Sequence, residues 1–544
     1  MRTFKFKRSL TLVAVSSLLS ITVVSIPTVA RAADPACTTA SGVTTCLGAT
    51  SDTAPYMLMT PANFNGTVYL YSHGYRNNVP LPATLSAATG FPTTVVNTPE
   101  PAPGGNAQII GTLLAKGYAV MGSGFARQGW NADSAIKTNV ELIGVFKKQY
   151  PKTTKVVAWG NSLGGFITQA LAEKYPDLIS AAAPLCMASD LTPLMTMAGD
   201  ALWGIKTFFD PTIKGGGYSA GTAGYAEAMG DLGKVLTVAG AMSAAIAANP
   251  TAPAWPATSK VPDALKAVPS RSALVLIGLM SGLPMQSAHF DSTSAPAGLP
   301  ASNALSFQLA INPALATLEN VTNAAAVGVL FAHDIEQQAG GAVFDNTATD
   351  YSARVASERF IWSSALTGEA GVNALLGYLA AVPRVKGNPA AIAKLATLTA
   401  HTGKVEIPTI LFTGTADPVT TPGNQQSVID KYAAYSAEKW AAAKKAGERK
   451  RPANNQLALW NFPPEKYTKF TATGSPDTTV PAATGTNHCN FTVSQYLAIA
   501  DLLAYAAENG KNMSGGALYT KIRKAGNVTY DRGYEAPRLK YYGE

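Results

Sequence analysis

The chain has 544 residues, 47% hydrophobic and 14% charged, with a formal net charge of +9. That length is too great for one compact core, so two domains are expected. Five histidines in all argue against a His-rich metal site, and the basic excess does not point to nucleic acid. Residues 1–32 carry five of the positive side chains, and the rest of the chain is only +4. The visible basic cluster, Lys439, Lys444, Lys445, Arg449, Lys450 and Arg451, lies on an Ala-rich helical stretch with no aromatic ladder. It reads as a solvated helix face.

In chain order, Arg2, Lys5, Lys7 and Arg8 precede an apolar run from Leu10 to Val24 and a small-x-small site at Ala30-Arg31-Ala32. This pattern reads as a signal peptide over residues 1–32, cleaved on export, with an uncleaved anchor as the alternative. No later segment offers about 18 uninterrupted apolar residues; Ala273 to Leu283 is too short and contains Gly and Ser. A secreted or periplasmic protein without stable membrane insertion is expected. Four cysteines in an exported chain suggest two disulfides. Cys37 and Cys46 bracket a Gly-containing turn, the simplest local bridge, which leaves Cys186 and Cys489 to pair or to stay as buried thiols.

Residues 33–189 alternate strand-like and helix-like runs. Tyr56 to Met59 and Thr67 to Tyr71 flank Asn65-Gly66 and read as a hairpin. Helix-like Ala107 to Lys116 precedes strand Tyr118 to Met121, and helix-like Ile136 to Gln149 precedes strand Lys155 to Trp159. Ile179 to Leu185 reads as another buried strand. The alternation predicts an α/β fold, a mostly parallel sheet with helices on both faces. Over residues 190–403 strand signals fade. The Ala-, Gly- and Met-rich stretches Ala223 to Ala248, Ala304 to Val321 and Ser364 to Val382 predict a mostly helical cap or lid insertion.

The sheet pattern resumes over residues 404–510. Strand Ile407 to Phe412 is followed by a helix from about Gln425 to Gly447, then a strand at Leu457 to Phe462 or Tyr467 to Ala472. A final helix is expected from Val493 to Asn509, with Thr492 and Gln495 at capping-box spacing and Gly510 just past its end. The tail, residues 511–544, is basic and Tyr-rich and takes no assignment.

The chemistry centres on Gly160-Asn161-Ser162-Leu163-Gly164, between a buried strand and an amphipathic helix. A serine on such a sharp strand-to-helix turn is the G-x-S-x-G elbow, whose flanking residues must be small. The following helix points free N–H groups back toward it. A serine hydroxyl needs a base oriented by an acid. Asp417 follows the resumed strand, and His488 lies on a polar loop before the last predicted helix. Asp190, just after the Ile179–Leu185 strand, is the alternative acid. An oxyanion would be held by the N–H of Leu163 and, from the loop Ser72-His73-Gly74-Tyr75, by that of Tyr75. Gly122-Ser123-Gly124 lacks the third glycine of a dinucleotide fingerprint, so no cofactor is expected.

His73-Gly74, the Gly160–Gly164 elbow, Thr413 to Asp417 and His488, in that order, resemble the α/β-hydrolase superfamily over roughly residues 55–190 and 403–510. The resemblance implies an α/β-hydrolase fold, with Ser162 as nucleophile, His488 as general base and acid, and Asp417 as orienting acid. The insertion falls where that superfamily commonly carries its cap. A carboxylic ester with an apolar portion is the expected small-molecule substrate, with an amide or peptide as alternative and an inactive binding protein as a third reading. A Cys186–Cys489 bridge would pin the His488 loop to the sheet edge. Met187, Met195, Met197, Trp203, Phe208 and Phe209 either line an apolar pocket or pack the core. Gln128-Gly129-Trp130 stands apart from the generic pattern.

Overall fold

The structure, a computed structural model, describes residues 34–398 and 401–537; the signal-peptide expectation lies outside the described residues. Ten strands form one sheet: β1 Ala36–Ala40, β2 Val43–Ala49, β3 Pro55–Pro61, β4 Thr67–Ser72, β5 Ala119–Ser123, β6 Lys155–Asn161, β7 Ala181–Leu185, β8 Thr409–Gly414, β9 Gln456–Asn461 and β10 Val528–Thr529. Their order is β1-β2-β3-β5-β4-β6-β7-β8-β9-β10. The six strands from β5 to β9 are mutually parallel, and the strands at both edges are antiparallel.

Parallel strands require crossover helices, and burial on both faces follows. Every residue of β5, β7 and β8 is buried. Alternation along β4 sorts the two cores. Val68 and Leu70 face helices Ala132–Gln149 and Leu163–Lys174, whereas Tyr69 and Tyr71 face Ala107–Ala115 and Val493–Asn509. This α/β/α layering is the expected fold class, and the chain has the α/β-hydrolase fold.

Between β7 and β8 the described residues contain helices and no strand. Helix Asn312–Ala339 is the centre of this insertion, packed against Leu191–Phe208, Gly221–Ala248 and Ser270–Met280. Close approach is built in: a Cβ on Gly278 would lie 2.5 Å from the Thr317 methyl carbon. The buried residues of the insertion and of one sheet face form a single continuous apolar cluster. Two helical stretches, Gly221–Ala248 and Ala301–Ala339, are long and apolar enough by composition to cross a membrane; the interrupting Gly and polar residues hide this from a search for unbroken apolar runs.

Two local expectations fail, and one left open is decided. β3 and β4 are not a hairpin, because β5 lies between them. β4 is apolar on both sides and takes two parallel neighbours, while Asn65 and Gly66 bond to Gly117 and Thr154 rather than closing a two-residue turn. Of the two strand candidates, Leu457 to Phe462 is the one that forms, as β9; over Tyr467 to Ala472 the carboxylate of Asp291 instead takes the N–H groups of Tyr467 and Thr468. Val493–Asn509, with its capping box intact, is not the last helix. Gly515–Ala525 and β10 follow, and Leu518, Ile522 and Val528 complete the second core.

Candidate active site

Ser162 sits at the turn from β6 into helix Leu163–Lys174 with φ 58° and ψ −121°, a strained conformation for a non-glycine residue. The turn is crossed at close range by the end of β4. A Cβ on Gly164 would lie 1.9 Å from the Ser72 carbonyl oxygen, and one on Gly160 would lie 2.4 Å from that of Gly164. Glycine at both positions is therefore a spatial requirement. Ser162 is the N-cap residue of this helix, the end at which a helix carries free N–H groups.

The Ser162 Oγ lies 2.9 Å from His488 Nε2. His488 Nδ1 lies 3.0 and 2.9 Å from the two Asp417 carboxylate oxygens. Asp417 is buried and fixed by three main-chain donors, the N–H groups of Val419 at 2.9 Å, Thr420 at 3.0 Å and Cys489 at 3.2 Å. A carboxylate held this way accepts a hydrogen bond from Nδ1–H and leaves Nε2 free to accept from the serine hydroxyl. Asp190 is elsewhere: its carboxylate caps helix Leu191–Phe208 by accepting from the Thr192 N–H.

Both disulfides expected from the cysteine count are present, Cys37–Cys46 and Cys186–Cys489. The first staples β1 to β2. The second ties the end of β7 to the residue after His488, and the Thr420 hydroxyl donates to the Cys186 carbonyl at 2.7 Å. Asn487 and Cys489, on either side of the histidine, both have positive φ. Asp417, His488 and Cys489 are the one cluster among the described residues with metal-ligand proximity, and the Cys489 sulfur there is in the disulfide.

The remaining histidines lie in packed or hydrogen-bonded positions outside the Ser162–His488–Asp417 series. His73 is buried against Phe125, and burial with the nearby Arg76 lowers it to about 3. His401 packs on Phe166 and is likewise lowered to about 3 by burial, aided by Lys431 and Lys174. His333 is buried on the insertion helix, where desolvation lowers it. His289 bridges Glu319 and the Val480 carbonyl.

Gly74 passes directly over the serine: a Cβ there would lie 3.3 Å from Ser162 Cβ. The Tyr75 amide follows it. A cavity of about 280 Å³ opens above these residues, walled by Tyr75, Phe91, Trp130, Leu194, Met197 and Phe331. Its described lining contains no Asp, Glu, Lys or Arg. Of the methionines and aromatics singled out between Met187 and Phe209, only Met197 lines this cavity. Met187 packs with Leu411 and Val428, Trp203 stacks on Tyr351, and Phe208 and Phe209 meet Trp255. Trp130, which stands out in the sequence with no role attached, forms part of the wall. Phe91 and Phe331 carried no signal, since their place depends on loops and on a helix some 170 residues past the serine.

No protein-family model and no curated protein matches the chain. Solved structures similar to it include feruloyl esterase B from Aspergillus oryzae, 12% identical over 77% of this chain and 72% of that one, with a TM-score of 0.30. The rice cell wall degrading esterase LipA from Xanthomonas oryzae is 12% identical over 77% of this chain and 82% of its own, with a TM-score of 0.29. The acylaminoacyl peptidase of Pyrococcus horikoshii is 12% identical over 27% and 22%, with a TM-score of 0.19.

Proposed function

We propose that this chain is an exported serine hydrolase that cleaves carboxylic esters through an acyl-enzyme. The observation that carries the reading is the unbroken hydrogen-bonded series Ser162–His488–Asp417 on the floor of an uncharged cavity. Ser162 Oγ attacks the ester carbonyl as His488 Nε2 removes its proton. The tetrahedral oxyanion forms beside the N–H groups of Leu163 and Tyr75, and Asp417 stabilises the imidazolium. Collapse expels the alcohol, which takes the proton from His488. Water then repeats the sequence and releases the acid.

The cavity lies near the lower end of the range for small-molecule sites and presents mostly apolar and aromatic wall. A neutral ester with a modest apolar group fits it. It offers no carboxylate to hold a free amine, which counts against an exopeptidase. The helical insertion supplies one wall and is read as the cap, and two disulfides agree with an oxidising compartment. A fluorophosphonate probe tests the reading: wild type should be labelled and Ser162→Ala should not. A panel of p-nitrophenyl esters and anilides then separates esterase from amidase. Absence of labelling in wild type would falsify the hydrolase and favour a binding protein of the same fold.

A further inference from the structure

Asp334 belongs to the insertion helix Asn312–Ala339, yet its carboxylate reaches into the loops that flank the serine. It is 2% exposed. One oxygen accepts from the Trp130 main-chain N–H at 2.6 Å, and the other from Asn78 Nδ2 at 2.7 Å and Gln338 Nε2 at 3.0 Å. Asn78 lies on the loop after β4 and Trp130 on the loop after β5. The two loops are stitched together, the Gly129 N–H donating to the Arg76 carbonyl at 2.9 Å. Gly129 has φ +78°, and a Cβ on it would lie 2.5 Å from the Asp334 carboxylate, so the loop can approach this closely only with glycine there. One turn earlier on the same helix face, the Phe331 ring lies 4.6 Å from the Tyr75 ring.

The insertion helix therefore grips the Gly74–Asn78 segment twice, by ring packing at Tyr75 and by a charge-assisted hydrogen bond at Asn78. Between those grips and Gly74, which rests on Ser162, runs the Tyr75 amide. Among the described residues this N–H has no hydrogen-bond partner. We propose that Asp334 is a positioning residue that sets the Tyr75 N–H as an oxyanion donor, so that the oxyanion site is complete only with the insertion docked. This rests on the hydrolase reading above. The physical warrant is that donors to an oxyanion act by preorganisation, and a displacement of about 1 Å costs up to ~100-fold in rate. A carboxylate can accept from both loops at once; the single oxygen of asparagine cannot, and its NH2 group would face a donor.

The experiment uses the full exported protein with Asp334→Asn, and with Asn78→Ala, which cuts one arm without disturbing the helix, in case the first variant folds poorly. Steady-state kinetics on a p-nitrophenyl ester are read beside inhibition by an arylboronic acid, which forms a tetrahedral adduct on the serine, and by the product carboxylic acid, which does not. The expected result is a kcat lowered roughly 10- to 100-fold with KM within about threefold. Boronate inhibition should weaken in parallel and product inhibition should be unchanged. An unchanged kcat, or a loss of kcat and of Tm with the boronate-to-product ratio intact, overturns the positioning role while wild type still labels and turns over. A wild type that neither labels with fluorophosphonate nor binds the boronate overturns the hydrolase reading and this inference with it.

Discussion

At the elbow, single atoms decide what is allowed. The hypothetical Gly164 Cβ, 1.9 Å from a backbone oxygen, meets an atom that cannot rotate away. Gly164→Ala should therefore destabilise the protein by about 3 kcal/mol or prevent folding. Gly111, exposed in helix Ala107–Ala115 with open space at its Cβ, provides the opposite case. Gly111→Ala should stabilise by about 0.5–1 kcal/mol, read from the denaturant midpoint. The proposed acid is tested at the same scale. Asp417→Asn should lower kcat about 10³- to 10⁴-fold, because an amide facing Nδ1 favours the wrong imidazole tautomer. Asp190→Asn should leave kcat within about twofold, since asparagine caps a helix as well as aspartate does. A dead Asp190→Asn would remove Asp417 from the role.

Between elements, the two disulfides differ in what they join. Cys186–Cys489 spans 303 residues and fastens the loop of His488 to β7, whereas Cys37–Cys46 spans 9 residues and joins the exposed edge strand β1 to its neighbour β2. Replacing Cys186 and Cys489 by serine should cost about 2–5 kcal/mol of stability. It should also lower kcat, because the Cys489 N–H that helps hold Asp417 is then on a freer loop. Replacing Cys37 and Cys46 should leave kcat unchanged. Equal loss of kcat in both variants would show that the second bridge has no special relation to the site. The capping box at Thr492 and Gln495 fixes the start of the helix that follows this loop, and Thr492→Ala should cost about 1 kcal/mol in thermal or denaturant unfolding.

For the molecule as a whole, burial of ionisable groups sets the response to acid. His401, fully buried and lowered to about 3, stays neutral in the folded state while the unfolded chain protonates it near its ordinary value of about 6.5. The unfolded state thus binds more protons between those limits, and stability falls as pH drops through that window. The slope for one such group is about 1.4 kcal/mol per pH unit. Other buried groups titrate over the same range, so the test is a difference. The stability advantage of wild type over His401→Gln should shrink as pH is lowered from 6.5 to 4. A difference independent of pH would mean that His401 is protonated in the fold.

Much of this arrangement is written in local sequence. The glycines around Ser162, the apolar runs of β4, β6 and β8, and the capping signals of Val493–Asn509 act over a few residues, so those elements and the candidates Ser162, Asp417 and His488 are legible in the sequence, whereas β1, β2 and the elements of the tail are not. The cysteine count led to the pairings that the structure contains. What only the tertiary structure decided depends on segments distant in the chain meeting in space. β5 enters between β3 and β4 by pairing with segments about 50 to 70 residues earlier in the chain, and no turn motif encodes that. The cavity wall joins Phe91 to Phe331, and the Asp334 carboxylate meets Asn78 from 256 residues away. Hydrophobic periodicity specifies that the insertion's helices are buried, but not which loop a single aspartate on one of them will hold.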